Sequence, residues 1–149
     1  MFRGNNPAKV DDKGRLKIPS GFKTLLDAAN VTQFYITSSD GKSAEIWPLP
    51  EWEKKEKKLA LQSTMNKAVQ KYVSLTSYYG QQVEMDSQAR VVLPQILRDR
   101  AKLDAEVVVL GKLVYIEVQN EKEFEKQLPV YEMTDAERDE VAAMTRELG

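Results

Sequence analysis

A short phrase, Asp-x-x-x-Arg-x-x-(Leu/Ile)-Pro, occurs twice in this chain, first over 11–19 and again over 86–94. The two copies lie 75 residues apart, and flanking apolar positions keep that spacing, so that Leu16 matches Val91. Agreement of this kind marks an internal repeat. The chain therefore consists of two similar units in tandem, and its fold and function should be sought in what is duplicated.

Length and composition limit the classes of protein that the chain can be. A chain of 149 residues forms one compact domain or two small ones that share a core. Its 30% charged and 42% hydrophobic residues are ordinary for a soluble globular protein, and it has no apolar run long enough to cross a bilayer. Residues 1–6 lack the apolar core of a signal peptide. We therefore expect a cytoplasmic protein with no membrane partner.

The chain contains neither cysteine nor histidine. It thus lacks thiolate metal ligands, the commonest general base and the commonest transition-metal ligand. It also has no phosphate-cradling glycine-rich loop and no nucleophile elbow. An acid–base role for Asp11, Asp12 or Asp86 is the alternative, but carboxylates on a turn are usually solvated or cap the backbone. The sequence predicts a non-enzyme without catalytic residues, metal, cofactor or small-molecule substrate.

The net charge of −1 hides an asymmetry between the two halves. Residues 1–81 carry 13 Lys and Arg against 8 Asp and Glu, whereas residues 82–149 carry 9 against 15, so the halves are +5 and −6. The first 26 residues alone hold six Lys and Arg against two acidic residues before Asp27. This cluster indicates a polyanionic partner for the first repeat. For any single lysine, the alternative is that it keeps a strand surface soluble and discourages edge pairing.

Apolar spacing and turn residues predict a β-rich first half. Asp and Gly suit a hairpin-like turn over 11–14, and Ser20 is expected to cap the first helix. A second hairpin turns at 39–42, and its second strand holds Glu45, which matches Glu117 at a spacing of 72. The predicted elements are strands over 8–10, 16–18, 33–37 and 44–47 and a helix over 21–26.

A single helix from Glu51 to about Tyr72 is expected to connect the repeats. Its lysine run over 54–58 is predicted to be a solvated face and not part of a site. The second half then repeats the plan, with a turn over 86–89, strands over 82–85, 90–93, 106–110 and 113–118, and helices over 95–102 and 121–126. The buried face of the connecting helix is predicted to comprise Trp52, Leu59, Met65, Val69 and Tyr72.

The C-terminal segment is predicted to be helical. Thr134 and Glu137 form a capping box that opens a last helix, which runs to about Leu148. This helix is acidic on its exposed side, so we do not expect it to meet a polyanion. The expected organisation is a first repeat over 1–53, a linker helix region over 54–80, a second repeat over 81–126 and a helical tail over 127–149.

The repeated Asp and Arg stand four residues apart across each turn. An Asp at the start of the turn can hold the loop backbone in shape, while the turn projects Arg15 or Arg90 from the following strand. A guanidinium offers a rigid fork of donors that matches guanine O6 and N7 or phosphate oxygens. The alternative is that Asp and Arg simply pair with each other. Lysines surround Arg15 but not Arg90, so the first copy is the stronger candidate for binding.

These phrases resemble those of the bacterial MraZ family: Met-Phe-Arg-Gly at the N-terminus, Asp-x-Lys-Gly-Arg-Leu-x-Ile-Pro over 11–19 and Asp-Ser-Gln-Ala-Arg-Val over 86–91. The match spans nearly the whole chain. The resemblance implies an AbrB-like transcriptional regulator in which two tandem swapped-hairpin repeats form a pseudo-dimeric double-split β-barrel with flanking helices. It also implies a ring-shaped homo-oligomer that associates with the nucleoid and binds direct repeats of double-stranded DNA in the promoter of the division and cell-wall gene cluster, which usually begins with the regulator's own gene.

Carried onto this sequence, the resemblance places the DNA-reading loop over 11–15. Two positions depart from the family pattern, because Asn6 stands where the family often has His and Ala89 replaces a common Gly. If residue 89 needs positive φ, Ala strains the second loop. The resulting candidates are Arg15, Lys13, Arg3, Lys9, Arg90 and Lys17 for DNA binding, and Asp11, Gly14 and Asp86 for shaping the loops.

A different class of function stays open at this point. The repeats could bury their edges between subunits in a ring-forming interaction or assembly module, with only incidental DNA binding. The helices could support such assembly, but the inner face of a helix and a subunit interface look alike in sequence. Gel filtration with and without DNA separates this alternative from a regulator.

Overall fold

The two repeats contribute the same succession of strands and helices. The computed structural model describes residues 1–148. The first repeat and the connecting region contain β1 (Asn5–Lys9), β2 (Arg15–Lys17), α1 (Ser20–Ala28), β3 (Gln33–Thr37), β4 (Ala44–Pro48), α2 (Leu49–Ala60) and α3 (Lys67–Tyr78). The second repeat and the tail contain β5 (Gln81–Glu84), β6 (Arg90–Val92), α4 (Gln95–Arg100), β7 (Glu106–Lys112), β8 (Tyr115–Asn120), α5 (Glu121–Gln127), a 3-10 helix (Leu128–Tyr131) and α6 (Asp135–Leu148).

Each repeat lends its first two strands to the other. The hairpins β3–β4 and β7–β8 are local, and they join through β4 and β8. β1 then adds to β7, and β5 adds to β3, which completes an open antiparallel sheet in the order β1-β7-β8-β4-β3-β5. β2 pairs with β6 in a separate two-stranded sheet, here called the ribbon. Neither repeat therefore forms either sheet without the other.

Corresponding residues face each other at the centre of both sheets. In the ribbon, Leu16 lies opposite Val91, its match at a spacing of 75. In the six-stranded sheet, Glu45 lies opposite Glu117, its match at a spacing of 72. A pseudo-twofold axis consequently passes through both sheets and relates the two repeats.

Side chains from both repeats fill one hydrophobic core. Strand residues alternate between the two faces of a sheet, and in the ribbon the inward residues are Leu16 and Val91, which are fully buried. Among the described residues, no helix has the length and apolar character needed to span a membrane. The largest fully buried side chains are Phe34, Leu16, Ile18, Leu26, Ile36, Ile46, Leu93, Leu97, Leu103, Ile116, Val91 and Val107.

Several sequence predictions are confirmed. The fold is a mixed α+β fold rich in sheet, and the hairpin predicted over 33–37 and 44–47 forms as β3 and β4. The capping box also forms, because the backbone N of Thr134 donates to Glu137 Oε1 at 2.9 Å and the backbone N of Glu137 donates to Thr134 Oγ1 at 3.1 Å. These features depend on neighbours in sequence, which a local pattern can report.

The hairpin expected around the first turn is different from the prediction. β1 and β2 meet at a single bridge, between Val10 and Leu16, and then diverge into different sheets. The turn over 11–14 forms, but the chain leaving it pairs with β6 of the other repeat. Strand spacing in the sequence shows which segments are extended but not which distant segment each one pairs with.

The prediction of one helix from Glu51 to about Tyr72 is wrong. α2 ends at Ala60 and α3 begins at Lys67, because polar side chains in between bond to the backbone instead of continuing the helix. Asn66 Oδ1 accepts a hydrogen bond from the backbone N of Val69 and caps α3. Trp52 is buried as predicted, whereas Met65 lies in the break and is 83% exposed.

Two element boundaries also differ from the predictions. Pro19, not Ser20, is the N-cap of α1, and no side chain caps this helix. The strand expected from Leu113 begins at Tyr115 instead, because Leu113 takes a positive φ of 66° in the tight turn between β7 and β8. A left-handed residue cannot continue a strand.

Because the repeats share one core, we expect Leu16→Ala to destabilise the whole chain. Removing a fully buried Leu costs about 2–5 kcal/mol. Urea unfolding should remain one transition at a lower midpoint, followed by circular dichroism for the whole chain and by fluorescence of Trp47 and Trp52, which both lie in the first half. Two separate transitions, with only the tryptophan signal shifted, would contradict the shared core.

Candidate nucleic-acid interface

One carboxylate organises the first loop, over 11–14. Asp11 Oδ1 accepts hydrogen bonds from the backbone N of Lys13 at 3.0 Å and of Arg15 at 2.8 Å. Asp11 Oδ2 accepts a third from Arg15 Nε at 2.6 Å, and the backbone N of Gly14 donates to Asp11 O at 3.0 Å. The same side chain therefore fixes the turn and holds the guanidinium that follows it.

The second loop, over 86–89, repeats this arrangement. Asp86 Oδ1 accepts from the backbone N of Gln88 and of Arg90, both at 2.9 Å, and Asp86 Oδ2 accepts from Arg90 Nε at 2.8 Å. The backbone N of Ala89 donates to Asp86 O at 3.0 Å. The loop keeps its hydrogen bonds although Ala stands where the first loop has Gly.

These hydrogen bonds favour the charged form of each loop carboxyl. The pKa of Asp11 lies below its ordinary value, chiefly because the backbone N of Arg15 donates to it. The pKa of Asp86 is lowered in the same way by the backbone N of Arg90. Both carboxylates are thus ionised at neutral pH, where they bind guanidinium best. No group of three Asp or Glu side chains that could hold a metal ion exists among the described residues.

The pairing of Asp with Arg does not use up the guanidinium. Arg15 bonds to Asp11 through Nε, which leaves both Nη atoms available for another partner, and Arg90 does the same. The side chains of Arg15 and Arg90 are 30% and 26% exposed. A guanidinium held at Nε presents its remaining donors in a fixed direction, which suits a planar acceptor pair.

The outer face of the ribbon carries three cations. Because Leu16 and Val91 point inward, their neighbours on β2 and β6 point outward. Lys17 lies directly opposite Arg90 across the strands, and Arg15 lies opposite the remaining outward residue of the ribbon. We define the outer face of the ribbon as Arg15, Lys17, Arg90 and Val92.

Each loop is anchored to the strand of the other repeat. The backbone N of Ile18 donates to Ala89 O at 2.8 Å, and the backbone N of Leu93 donates to Gly14 O at 2.9 Å. The two loops therefore flank the ribbon as parts of one surface. Their relative position depends on the pairing of β2 with β6.

The structure brings only some of the other predicted cations to this surface. Lys13 is exposed at the tip of the first loop, and Lys9 ends β1 just before it, with Nζ 3.8 Å from Glu106 Oε1. Arg3 is at the opposite end of β1, where its backbone passes Gly111. At about 3.3 Å per strand residue, Arg3 lies ~20 Å from Lys9.

Two residues of this surface were not among the predicted site residues. Val92 is 48% exposed on the outer face of the ribbon. Arg98 on α4 lies against the first loop, since a Cβ on Gly14 would come 2.4 Å from Arg98 Cζ. The spacing of 75 aligns Val92 with Lys17 and Arg98 with Lys23, so a full superposition of the repeats carried a signal for both.

Comparison with known proteins identifies the family. The family model described as "MraZ protein, putative antitoxin-like" matches residues 1–73 and 80–146, and so contains both loops. The chain belongs to the MraZ family. It is 53% identical to the transcriptional regulator MraZ of Acidobacterium capsulatum, over 90% of this chain and 92% of the relative. Proteins of the same name from Koribacter versatilis and Thiobacillus denitrificans are 45% and 36% identical, over 86% of this chain and 88% and 86% of theirs.

The departure of this MraZ chain at Ala89 has a visible cost. Ala89 has a φ of 60°, in the left-handed region where Gly14 of the first loop has 78°. A non-glycine residue pays on the order of 1 kcal/mol for this conformation. The Ala89 side chain packs against the core, which offsets part of that cost. Asn6, the other departure, is half-buried on β1 opposite Val109.

We expect Gly14→Ala to destabilise this MraZ chain by about 1–2 kcal/mol, because it combines a left-handed φ with contact against Arg98. Gly21→Ala is the matched control. A Cβ at residue 21 meets nothing within 4 Å in α1, so this change should stabilise the chain by about 0.5 kcal/mol. Urea unfolding measures both, and equal effects of the two variants would argue against a constrained first loop.

The loop carboxylate should also make stability depend on pH. Because the pKa of Asp11 is lowered in the folded state, its contribution is present above the ordinary value of 3.8 and is lost as pH falls through the folded pKa. The difference in melting temperature between the wild type and Asp11→Asn should therefore be largest near pH 7 and shrink below about pH 4. A difference that stays constant from pH 7 to pH 3 would contradict this account, and Asp12→Asn serves as the control.

Proposed function

We propose that this MraZ-family chain is a sequence-specific DNA-binding transcriptional regulator and not an enzyme. Its relatives are named transcriptional regulators, and the cationic outer face of the ribbon favours double-stranded DNA as the ligand. The proposed targets are direct repeats in the promoter of the division and cell-wall gene cluster that includes its own gene. The proposed location is the cytoplasm, in association with the nucleoid.

The observation that carries this proposal is the guanidinium held at Nε beside an exposed two-stranded ribbon. The major groove of B-DNA admits a two-stranded ribbon, and Arg donating to guanine O6 and N7 is the commonest specific contact there. Arg15 is held by Asp11 with both Nη atoms left over. Holding the side chain in advance lowers the conformational entropy lost on binding. We propose Arg15 as the main base-reading residue and Arg90 as its counterpart in the second repeat.

The other cations suit phosphate contacts, which give affinity without sequence preference. Lys13 and Lys17 flank Arg15 on the loop and the ribbon, and Lys9 precedes the loop. Arg3 is at the far end of β1, so any contact that it makes falls on a different part of the duplex. Asp11, Gly14 and Asp86 act in this proposal by fixing the shape of the loops.

Differences between the two halves of the ribbon favour an asymmetric DNA word. At matched positions, Lys13 corresponds to Gln88 and Lys17 corresponds to Val92. Lysine suits guanine acceptors, glutamine suits the N6 and N7 edge of adenine, and an apolar side chain suits the methyl group of thymine. One chain therefore offers two different reading edges, which fits a repeated non-palindromic word better than a palindrome.

We also propose that the chain associates with itself into a ring, and that the ribbon and the six-stranded sheet are the two parts of a double-split barrel. A ring that presents several ribbons to tandem sites gains affinity through effective concentration. Exposed apolar residues on the helices support self-association, among them Val73, Leu75 and Tyr78 on α3 and Val141 and Met144 on α6.

The test is fluorescence anisotropy of the full chain on DNA from upstream of its own gene and on a scrambled fragment, across a salt series. The wild type should prefer the native fragment by on the order of a thousandfold at physiological salt. Arg15→Ala should lose most of that preference, because a bidentate base contact gives about 1–3 kcal/mol of discrimination. Lys9→Ala should weaken binding to both fragments alike and lower the salt slope by about 1.

Lys58→Ala is the control, because Lys58 lies in the lysine run on α2 that was left out of the site. Equal losses on both fragments for Arg15→Ala would refute base reading at that residue. Equal, steeply salt-dependent binding of the wild type to both fragments would reduce the function to coating DNA. No binding to either fragment would leave an assembly module as the function.

A further inference from the structure

The C-terminal helix α6 has an apolar face that nothing covers in the single chain. None of its residues over 135–146 is buried, and Val141 and Met144 are 50% and 54% exposed. The spacing of Glu137, Glu140, Val141 and Met144 places them on one face of the helix. Isolated helices of about this length are marginal in water, so α6 needs a surface to pack on.

The structure gives α6 no such surface within its own chain. Among the described residues, its side-chain hydrogen bonds stay within the helix or its cap, as Arg138 with Asp135 and Thr145 with Val141 show. No ion pair joins α6 to another element in that part of the chain. The helix therefore extends from the sheet core with its apolar face available.

A complementary face exists on α3. Residues at helical spacing line a shallow groove along its outer side, with two lysines at one end and Leu75, which is 40% exposed, at the other. α3 has 12 residues and α6 has 14, so their lengths are about 18 and 21 Å at 1.5 Å per residue. The groove residues are Lys67, Gln70, Lys71, Ser74 and Leu75.

The charges of the two surfaces are opposite. Residues 135–148 of α6 contain five acidic residues and two arginines, a net charge of −3. Residues 49–78, which contain α2 and α3, carry six lysines and three glutamates, a net charge of +3. Opposite charge together with matched length identifies the occupant of the α3 groove as a helix like α6.

We propose that α6 of one copy docks in the α3 groove of a second copy of this chain. Glu140 then faces Lys71, and Val141 and Met144 cover Leu75. The mode is an amphipathic helix in a groove, with anchors at i, i+3 and i+4. The two surfaces are different, so the contact is heterologous and leaves one α6 and one α3 groove free for further copies. Such contacts build a ring when the rotation between copies closes, and this inference rests on the self-association proposed above.

The test uses sedimentation velocity of the full chain with one charge reversed on each surface. Glu140→Lys and Lys71→Glu should each raise the concentration needed for assembly by on the order of tenfold, because each places like charges together. Asp139→Lys is the matched control, since it makes the same charge change on the opposite face of α6. Mixing Glu140→Lys with Lys71→Glu should restore assembly, because every α6 then meets a groove of opposite charge at residue 71.

Each outcome bears on a different claim. If the wild type sediments as a monomer at all concentrations, the proposed self-association is wrong. If it assembles and neither reversal weakens the assembly, self-association stands and the α6–α3 contact is wrong. An equal loss with Asp139→Lys, or no recovery in the mixture, also overturns the contact. Met144→Asp, an apolar-to-charged change on the docking face, should weaken assembly without recovery in any mixture.

Discussion

The pairing of β2 with β6 is the contact on which the rest of the molecule depends. It buries Leu16 against Val91 at the centre of a core that both repeats build. It also ties each turn to the other repeat, through Ile18 and through Leu93. Because the inward and outward residues of the ribbon alternate, the same three-residue ladder that closes the core sets the direction of the outer cations. Stability and the candidate interface are therefore consequences of one pairing.

The Asp–Arg pair combines two roles that the sequence left as alternatives. Asp11 binds backbone and guanidinium together, and the hydrogen bonds that lower its pKa keep it ionised where the pair is useful. Bonding at Nε rather than at Nη means that forming the pair orients Arg15 without satisfying it. A structural pair and a DNA-reading residue are thus compatible, and Arg90 with Asp86 shows the same arrangement in the second repeat.

The sequence predicted what depends on local chemistry and missed what depends on distant partners. Turn residues, the β3–β4 hairpin and the Thr134 capping box follow from neighbours a few positions apart, and these were predicted. The exchange of strands was not derivable from local spacing, because β2 pairs with a strand 75 residues away. The Arg98 contact with Gly14 was missed for the same reason. The break after Ala60 was missed because apolar periodicity continued across it while Asn66 offered a better cap.

The pseudo-twofold axis shows why two repeats in one chain differ from a dimer of identical ones. Glu45 and Glu117 face each other at the axis, where like charges destabilise a sheet. Each carboxylate has a different neighbour, since Trp47 Nε1 donates to Glu45 at 2.9 Å whereas Lys112 Nζ lies 4.0 Å from Glu117. Identical subunits would have to solve this conflict identically. Tandem fusion lets the two sides diverge, and the same freedom allows one ribbon to carry unlike reading edges on its two halves.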